Sequence, residues 1–489
     1  MSTDAKTSTG GGPTPRDIAI AHATEALIKS APVALELAKI FAQAGHTLAL
    51  VGGPVRDAIL GRLGNDLDFT TSARPEQSSK ILKKWADAVW ETGAQFGTIA
   101  AKHGELTIEV TTYRSEKYDP TSRKPDVDFG DSIEGDLGRR DFTVNAMALE
   151  LTTPEPTFID LFDGINDLVK RQLRTPGKAE DSFSDDPLRM MRAARFAAQL
   201  DFTLDPTVFT AISNMFERIT IISAERVRDE LTKLLMSNNP RAGLSILVES
   251  GLASIILPEL PQLKLEIDEH HHHKDVYEHT LTVLEKAIAL EDRLGGPNLV
   301  IRLAALLHDI GKPRTRELIP GGGVSFHHHE VVGSRMSKER LRALRFSNDV
   351  IKDVSQLVFL HLRFHGYGSG EWTDSAVRRY IRDAEDLLIH LHVLTRADCT
   401  TRNQRKAEKL AATYDSLEQR IALLMEQEEL EKIRPDLDGE QIMEILELKP
   451  SRLVGQAYQH LLNLRMEQGP LGFEAAKAEL LSWWAKNKP

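Results

Sequence analysis

Residues 50–71 read LVGGPVRDAILGRLGNDLDFTT. An apolar run closing on Gly52 and Gly53 turns into a segment carrying Arg56 and Asp57, then into a second run bearing Asp66 and Asp68. Side chains at i and i+2 of a strand leave the same face, so these two acids point together while Leu67 and Phe69 pack behind them. Paired carboxylates suit Mg2+, a hard cation that takes oxygen ligands and completes its shell with water and substrate phosphates. Gly52 and Gly53 remove side-chain bulk where a backbone must approach a triphosphate. Alone, the Asp-x-Asp pair reads first as an ordinary turn flanked by solvated acids; the surrounding chain has to decide.

The chain has 489 residues, more than one core can use, and about three domains are expected at roughly 150 residues each. Its net charge of −11 argues against a generally basic nucleic-acid coat and leaves room only for a local basic face. The single cysteine, Cys399, excludes an intramolecular disulfide framework and suits a reducing cytoplasm, the expected location. No stretch has the apolar length of about 20 residues that a bilayer span needs, so no membrane is expected. The opening MSTDAKTSTGGGPTP lacks the basic start and apolar core of a signal peptide and reads as a flexible tail.

From Ile18 to Ala44 apolar residues recur at helical spacing, and His46 to Val51 reads as a strand feeding the glycines. Pro75 to Trp90 reads as an amphipathic helix, followed by strands around Gly97 to Lys102 and Leu106 to Tyr113. In the last of these Glu109 lies on the polar face, either as a third metal ligand or as a solvent-facing acid. Arg114 to Glu134 is polar and without period, a loop. Arg139 and Arg140 precede Asp141 and a returning apolar run; the pair either clamps a triphosphate or is an ordinary solvated surface feature. Phe158 to Thr175 is strand–turn–strand or strand–turn–helix. Ser182 to Leu200 is a strong helix start, with an Asp before Pro187 as N-cap and Arg189, Arg192 and Arg195 lining one face. Helical patterns then continue almost to the C-terminus. The fold class expected is α+β, a small mixed-sheet head followed by an all-helical body.

Together, GGPVRD with DLDFTT, RRDFTVNAMAL, DDPLRMMRAARF and SAERVRDEL resemble the motifs of bacterial class II CCA-adding tRNA nucleotidyltransferases, of the DNA polymerase beta superfamily. The match runs from roughly Leu48 to Leu235. The resemblance implies that Asp66 and Asp68 bind catalytic Mg2+, and that Gly52, Gly53 and Arg56 contact the incoming triphosphate. It implies further that Arg139, Arg140 and Asp141 help hold the nucleotide, and that tRNA, CTP and ATP are the partners. The base-reading motif of the family is Glu-Asp-x-x-Arg; here it is Asp185, Asp186, Pro187, Leu188 and Arg189, with the first acid shortened. Cytosine and adenine present an amine donor beside a ring-nitrogen acceptor. A carboxylate only accepts and a guanidinium only donates, so Asp186 and Arg189 would fit C and A and oppose U and G. One of Asp185 and Asp186 must also cap the helix. ERVRDE, Glu225 to Glu230, resembles the family's last motif, a helix that buttresses the site.

A second constellation starts near His270. His279 in DVYEHTLTVL, His308 and Asp309 in LAALLHDIGK, and Asp398 in LTRADCT resemble an HD domain, whose ligands converge on a divalent ion of unspecified identity. His329, His361 and His365 either add a second ion or have surface or structural roles. HD domains are commonly phosphohydrolases, so hydrolysis at tRNA ends is a secondary expectation; a helical module that kept its ligands for stability is the alternative. The run His270 to His273 reads as loop. Thr401 to Lys432 is a long charged helix, with a solvated face or a tRNA backbone contact, and the last segment resembles a tail that reads tRNA by shape. The expected domains are a tail over 1–30, a head over 31–175, a base- and RNA-binding helical region over 176–265, an HD domain over 266–410 and a tRNA-binding tail over 411–489. Bacterial poly(A) polymerase, or an HD phosphohydrolase with an RNA-binding head, are the rival readings.

Overall fold

A computed structural model describes residues 15–114, 129–130, 132–265, 275–319, 324–367, 372–401, 403–428 and 434–488. The first residues of the expected tail, most of the 114–134 loop and the His270 to His273 run lie outside them. The chain divides into two compact units, 1–256 and 257–489.

The first unit is built on a seven-stranded sheet, β1 (Leu48–Val51), β2 (Asp66–Thr71), β3 (Ala88–Trp90), β4 (Thr98–His103), β5 (Leu106–Thr112), β6 (Met147–Glu150) and β7 (Thr157–Asp160), in the order β3-β4-β5-β2-β1-β6-β7. The β2–β5 pair is parallel and its register sets Asp68 opposite Glu109; the other neighbours are antiparallel. Every residue of β1 is buried, as a central strand covered on both faces requires.

Helix α1 (Pro15–Ser30) occupies the second half of the expected tail; Ala23 and Leu27 are fully buried, so those residues are ordered by packing. It is followed by α2 (Pro32–Gln43), α3 (Gly53–Ile59) and α4 (Pro75–Leu82). The helix expected through Trp90 stops at Leu82, because Ala88, Val89 and Trp90 pair with β4 instead. Tertiary pairing there outweighs the local period. Helix α5 (Ile133–Gly138) is capped by the Ser132 hydroxyl, and 158–175 is strand–turn–helix through α6 (Gly164–Lys170), followed by a two-residue strand, Gln172–Leu173, that pairs with Thr203–Leu204.

The single helix expected from Ser182 is two, α7 (Ala179–Asp185) and α8 (Leu188–Leu200), broken at Asp186 and Pro187. Proline lacks an N–H and disfavours helical geometry in the residue before it, so the first helix ends there and the second begins. Then come α9 (Pro206–Met215), α10 (Ala224–Leu235), α11 (Pro240–Glu249) and α12 (Ala253–Ile256). Helix α11 packs closely on α8: a Cβ on Gly243 would come within 2.7 Å of the Ala194 carbonyl oxygen.

The second unit comprises α13 (Glu259–Gln262), α14 (Val276–Ala289), α15 (Leu299–Leu307), α16 (His329–Ala343), α17 (Asn348–Leu360), α18 (Asp374–Ala384), α19 (Leu388–Asp398), α20 (Gln404–Glu428), α21 (Gly439–Leu446), α22 (Arg452–Gln468) and α23 (Phe473–Asn487). One short ribbon, Glu317–Leu318 with Val324–Ser325, interrupts the helices. The last three helices close around their own core of Leu437, Ile442, Ala457, Leu461, Ala476 and Leu480. The α+β class holds: a mixed sheet in the head, helices thereafter. No single helix among the described residues is long and apolar enough to cross a membrane.

Candidate functional site

In the head, alternation along β2 buries Leu67 and Phe69 and turns Asp66 and Asp68 outward together. Asp68 is level with Glu109 across the parallel ladder, so both carboxylates rise from one face. Burial, and then the Glu109 carboxylate, raise the Asp68 pKa. Among the described residues none of these three acids has a contact-distance cation or hydrogen-bond donor on its carboxylate. Carboxylates crowded in this way without donors favour a bound cation. They do not close into a tight three-atom group. Magnesium needs no such group, because it is held through one or two carboxylates with substrate phosphates completing the shell.

Asp68 and Glu109 border a cleft of about 500 Å³ that also takes in Asp136, Arg139, Arg140, Asp141, Asp186, Arg189, Arg192 and Arg226, whereas Asp66 is not part of its lining. Gly52 turns from β1 into α3 at φ +73, and a Cβ there would lie 2.8 Å from Arg140 Nη1. Glycine is thus needed twice, for the backbone angle and for the arginine that lies over the turn. The Asp136 carboxylate accepts from Arg140 Nη2 at 3.2 Å and steadies that guanidinium. Gly53 sits against Arg56, which is buried and donates to Asn145 Oδ1 at 2.6 Å and to Asp57. Neither Gly53 nor Arg56 borders the cleft.

Asp141 is a structural keystone of this wall. Its carboxylate accepts from the Phe142 N–H, from Asn145 Nδ2 and from Arg192 Nε at 2.7 Å. Burial alone would raise its pKa, but the Arg192 guanidinium overrides it and holds the carboxyl well below the usual range. Arg189 donates to Ser182 Oγ at 2.8 Å and to the Arg139 carbonyl at 2.6 Å. Asp186 is the residue that caps: its Oδ1 accepts from the Leu188 N–H, while its Oδ2 pairs with Arg226 at 2.9 Å.

The expected row of three arginines on one face of α8 is corrected in part. Arg189 and Arg192 border the cleft, but Arg195 does not: it is buried against Glu230 at 3.2 Å and over the Phe196 ring. Burial and the neighbouring Arg192 lower its pKa to about 10. Three-residue steps drift by about 60° around a helix, which turns the third arginine inward. Asp136 and Arg226 were missed by the sequence reading. The segment ERVRDE was singled out as a buttress, and only folding showed that Arg226 reaches Asp186.

In the second unit, buried His279, His308, Asp309, His329 and His361 converge, with Asp398 alongside. Asp309 joins two groups: Oδ2 lies 3.2 Å from His308 Nε2, and Oδ1 lies 3.3 Å from His329 Nε2. His279 Nε2 is 3.4 Å from His308 Nε2, and His329 Nε2 is 3.3 Å from His361 Nε2. Each triad, His279 with His308 and Asp309, and Asp309 with His329 and His361, has ligand atoms within 4.8 Å of one another. Imidazole nitrogens facing each other across a carboxylate are donors suited to transition-metal ions. Asp309 Oδ2 is buried without an aligned hydrogen bond, although Lys312 Nζ lies 2.9 Å away, so the donor set fits one or two divalent ions. His329 and His361, left open between ligation and a surface or structural role, are buried here and grouped with Asp309. The side chain of His365 lies outside the described residues.

Burial opposes charge on His308, but the Asp309 carboxylate prevails and raises its pKa to about 9. Burial and the nearby His308 lower His361 to about 3. Asp309 and Asp398 are held well below the usual carboxylate range, against the effect of burial, by the imidazoles that face them. A cavity of about 400 Å³ opens onto this centre and is lined also by Phe364, Tyr367 and Tyr414.

A head that carries acids on adjacent strands before an arginine-lined cleft is joined in this chain to a helical module that gathers a candidate metal-binding cluster of imidazoles and carboxylates. Residues 48–174 match the Poly A polymerase head domain, 201–263 the family described as "Probable RNA and SrmB- binding site of polymerase A", and 276–403 the HD domain. In sequence the chain is similar to CCA-adding enzymes. That of Lactobacillus johnsonii (strain CNCM I-12250 / La1 / NCC 533) is 41% identical over 221 residues, 45% of this chain and 54% of that protein. That of Levilactobacillus brevis (strain ATCC 367) is 43% identical over 211 residues, 43% of this chain and 51% of that protein. The chain thus spans about half the length of the curated relatives it matches. In structure it is similar to the Bacillus stearothermophilus CCA-adding enzyme in complex with CTP, with TM-score 0.68, 25% identity and coverage of 94% of this chain and 98% of that one. The Thermotoga maritima CCA-adding enzyme complexed with tRNA shares the fold, with TM-score 0.59, 19% identity and coverage of 93% and 95%.

Proposed function

We propose that this chain adds the terminal CCA to tRNA from CTP and ATP without a nucleic-acid template. The observation that carries the reading is the placement of Asp66, Asp68 and Glu109 on one face of two parallel strands, before a cleft lined by Arg139, Arg140, Asp186 and Arg189. The tRNA 3′ oxygen bonds to the α-phosphorus as the bond to pyrophosphate breaks. Asp66 and Asp68, with Glu109 beside them, would hold Mg2+, whose Lewis acidity lowers the pKa of the attacking hydroxyl and stabilises the leaving pyrophosphate. Arg140, steadied by Asp136 over the Gly52 turn, and Arg139 carry the triphosphate charge. Gly53, Arg56 and Asp141 act behind them, shaping the turn and fixing Arg192.

Base choice falls to Asp186 and Arg189. Their internal bonds use only part of the four or so acceptor positions of a carboxylate and the five donors of a guanidinium. The remainder suits the amine and ring nitrogen of C or A. Wrong bases would leave polar groups mispaired in a closed site, which discriminates far better than apolar contact.

The test is incorporation on tRNA lacking its 3′ end, with CTP and ATP singly and together. Addition of C, C and A followed by a stop is the expected result. An unlimited A tail would transfer the assignment to poly(A) polymerase.

A second activity is favoured by the buried cluster around Asp309. His279, His308, Asp309 and Asp398 would hold one divalent ion, with His329 and His361 available for another, and such a centre activates water for phosphoester hydrolysis. Release of phosphate from phosphoesters, lost in Asp309→Ala, tests it.

A further inference from the structure

The four buried imidazoles gathered around Asp309 are held at their outer nitrogens by two kinds of partner. His308, His329 and His361 each place Nδ1 on the carbonyl three residues earlier, that of Ala305 at 2.8 Å, Phe326 at 2.8 Å and Val358 at 2.6 Å. A carbonyl only accepts, so Nδ1 keeps its hydrogen and Nε2 alone faces the centre. His279 has no such carbonyl. Its Nδ1 meets the hydroxyl of Thr400 at 3.1 Å, and both residues are buried.

The other side of the same ring is held from the same segment. His279 Nε2 lies 2.9 Å from Asp398 Oδ1, so residues 398–400 grip the imidazole at both nitrogens. Between them the Cys399 carbonyl accepts from Lys286, two turns further along α14. The end of α19 is thereby fixed to α14 at three successive residues, and the ring is placed by the chain that supplies Asp398.

A hydroxyl differs from a carbonyl in that rotation lets it donate or accept. When it accepts, Nδ1 carries the hydrogen and Nε2 is bare, the form that ligates a metal. When it donates, Nε2 carries the hydrogen and bonds to Asp398. We propose that Thr400 is a positioning residue of the metal centre, holding the His279 ring toward Asp309 and matching its hydroxyl to whichever nitrogen form the centre requires. The inference rests on the metal-centre reading given above.

The test is a cobalt(II) titration of the metal-stripped full chain, followed by visible absorption, for the native protein, Thr400→Val and Thr400→Ser. Valine keeps the shape of threonine and removes the hydroxyl. The expected result is that Thr400→Val weakens the ion held by His279 and His308 by about 10- to 100-fold, the usual effect of losing an outer hydrogen bond to a ligand. Thr400→Ser restores it, and the ion at His329 and His361 is unaffected. Equal affinity in the native protein and Thr400→Val overturns the proposal, as does a loss in Thr400→Ser as large as in Thr400→Val, which would assign the residue to packing. Melting of the metal-free proteins checks the fold, and Thr400→Ala replaces the valine variant should that one not fold. A native protein that takes up no cobalt removes the metal-centre reading with the proposal, whereas an unchanged Thr400→Val beside a cobalt-binding native protein removes the proposal alone.

Discussion

Asp68 on β2 stands directly across a parallel ladder from Glu109 on β5, and Asp66 shares its face two residues away. This sets two carboxylates, Asp68 and Glu109, at the border of a cleft whose opposite charge comes from arginines on other elements. Asp68→Ala should therefore lower nucleotide addition by about three orders of magnitude or more, the scale of several kcal/mol that a metal ligand contributes. Labelled CMP and AMP incorporation into trimmed tRNA measures it. Phosphoester hydrolysis by the same variant should be unchanged, and Asp309→Ala should show the reverse pattern. Parallel loss of both activities in either variant would refute two separate centres.

Arg189→Ala should relax base choice more than it weakens tRNA binding. The discrimination of CTP and ATP against UTP and GTP is expected to fall by about 10- to 100-fold, as when one polar pair is lost from a closed site. The ratio of kcat/KM values reports it, with tRNA Kd measured alongside. Unchanged preference in this variant would take base reading away from the Asp186 and Arg189 pair.

The Asp141 carboxylate and the Arg192 guanidinium form a pair whose acid is buried. Asp141→Ala leaves that guanidinium without its main partner and should cost about 3 kcal/mol of stability, read from urea unfolding. Because the folded pKa of Asp141 is depressed, its contribution is present above the unfolded carboxyl pKa of about 3.9 and lost as pH falls below it. Acid unfolding of the variant should accordingly show a shallower dependence on pH than that of the native protein.

Metal uptake at the second centre should depend on pH through His308. With its pKa raised from 6.5 to about 9, the metal-free protein holds a proton there that an ion must displace. Affinity for a divalent ion is expected to rise with pH up to about 9 and then level. The same proton contributes stability to the metal-free fold fully below pH 6.5, and that contribution is lost as pH rises through about 9. Calorimetric titrations in buffers of different ionisation heat count the protons released, and none released near neutral pH would contradict the assignment.

Much of this was written in local pattern. The period of two in DLDFTT put Asp66 and Asp68 on one face, and the alternation around Glu109 marked its face as polar, because strand geometry follows from adjacent residues alone. His308 and Asp309 stood out as a polar pair set into an apolar helical run, whereas His279 and Asp398 were named through the resemblance of the spacing to an HD domain. The expectations that failed were those in which distant partners decide. Trp90 left its helix for a strand because β4 offered a pairing edge, whereas the helical spacing from Ile18 to Ala44 was met by two helices, the first packed through Ala23 and Leu27.

The sequence by itself determined the acids, the arginines and the imidazoles, and the order in which they come. Only the tertiary structure decided that Glu109 faces Asp68, that Asp186 caps its helix while meeting Arg226, that Arg195 turns inward to Glu230, and that His329 and His361 close on Asp309. Each of those relations joins residues far apart in the chain. Their separation is set by which ladder register and which helix faces bury the most apolar surface together, a property of the whole packing that no local window contains.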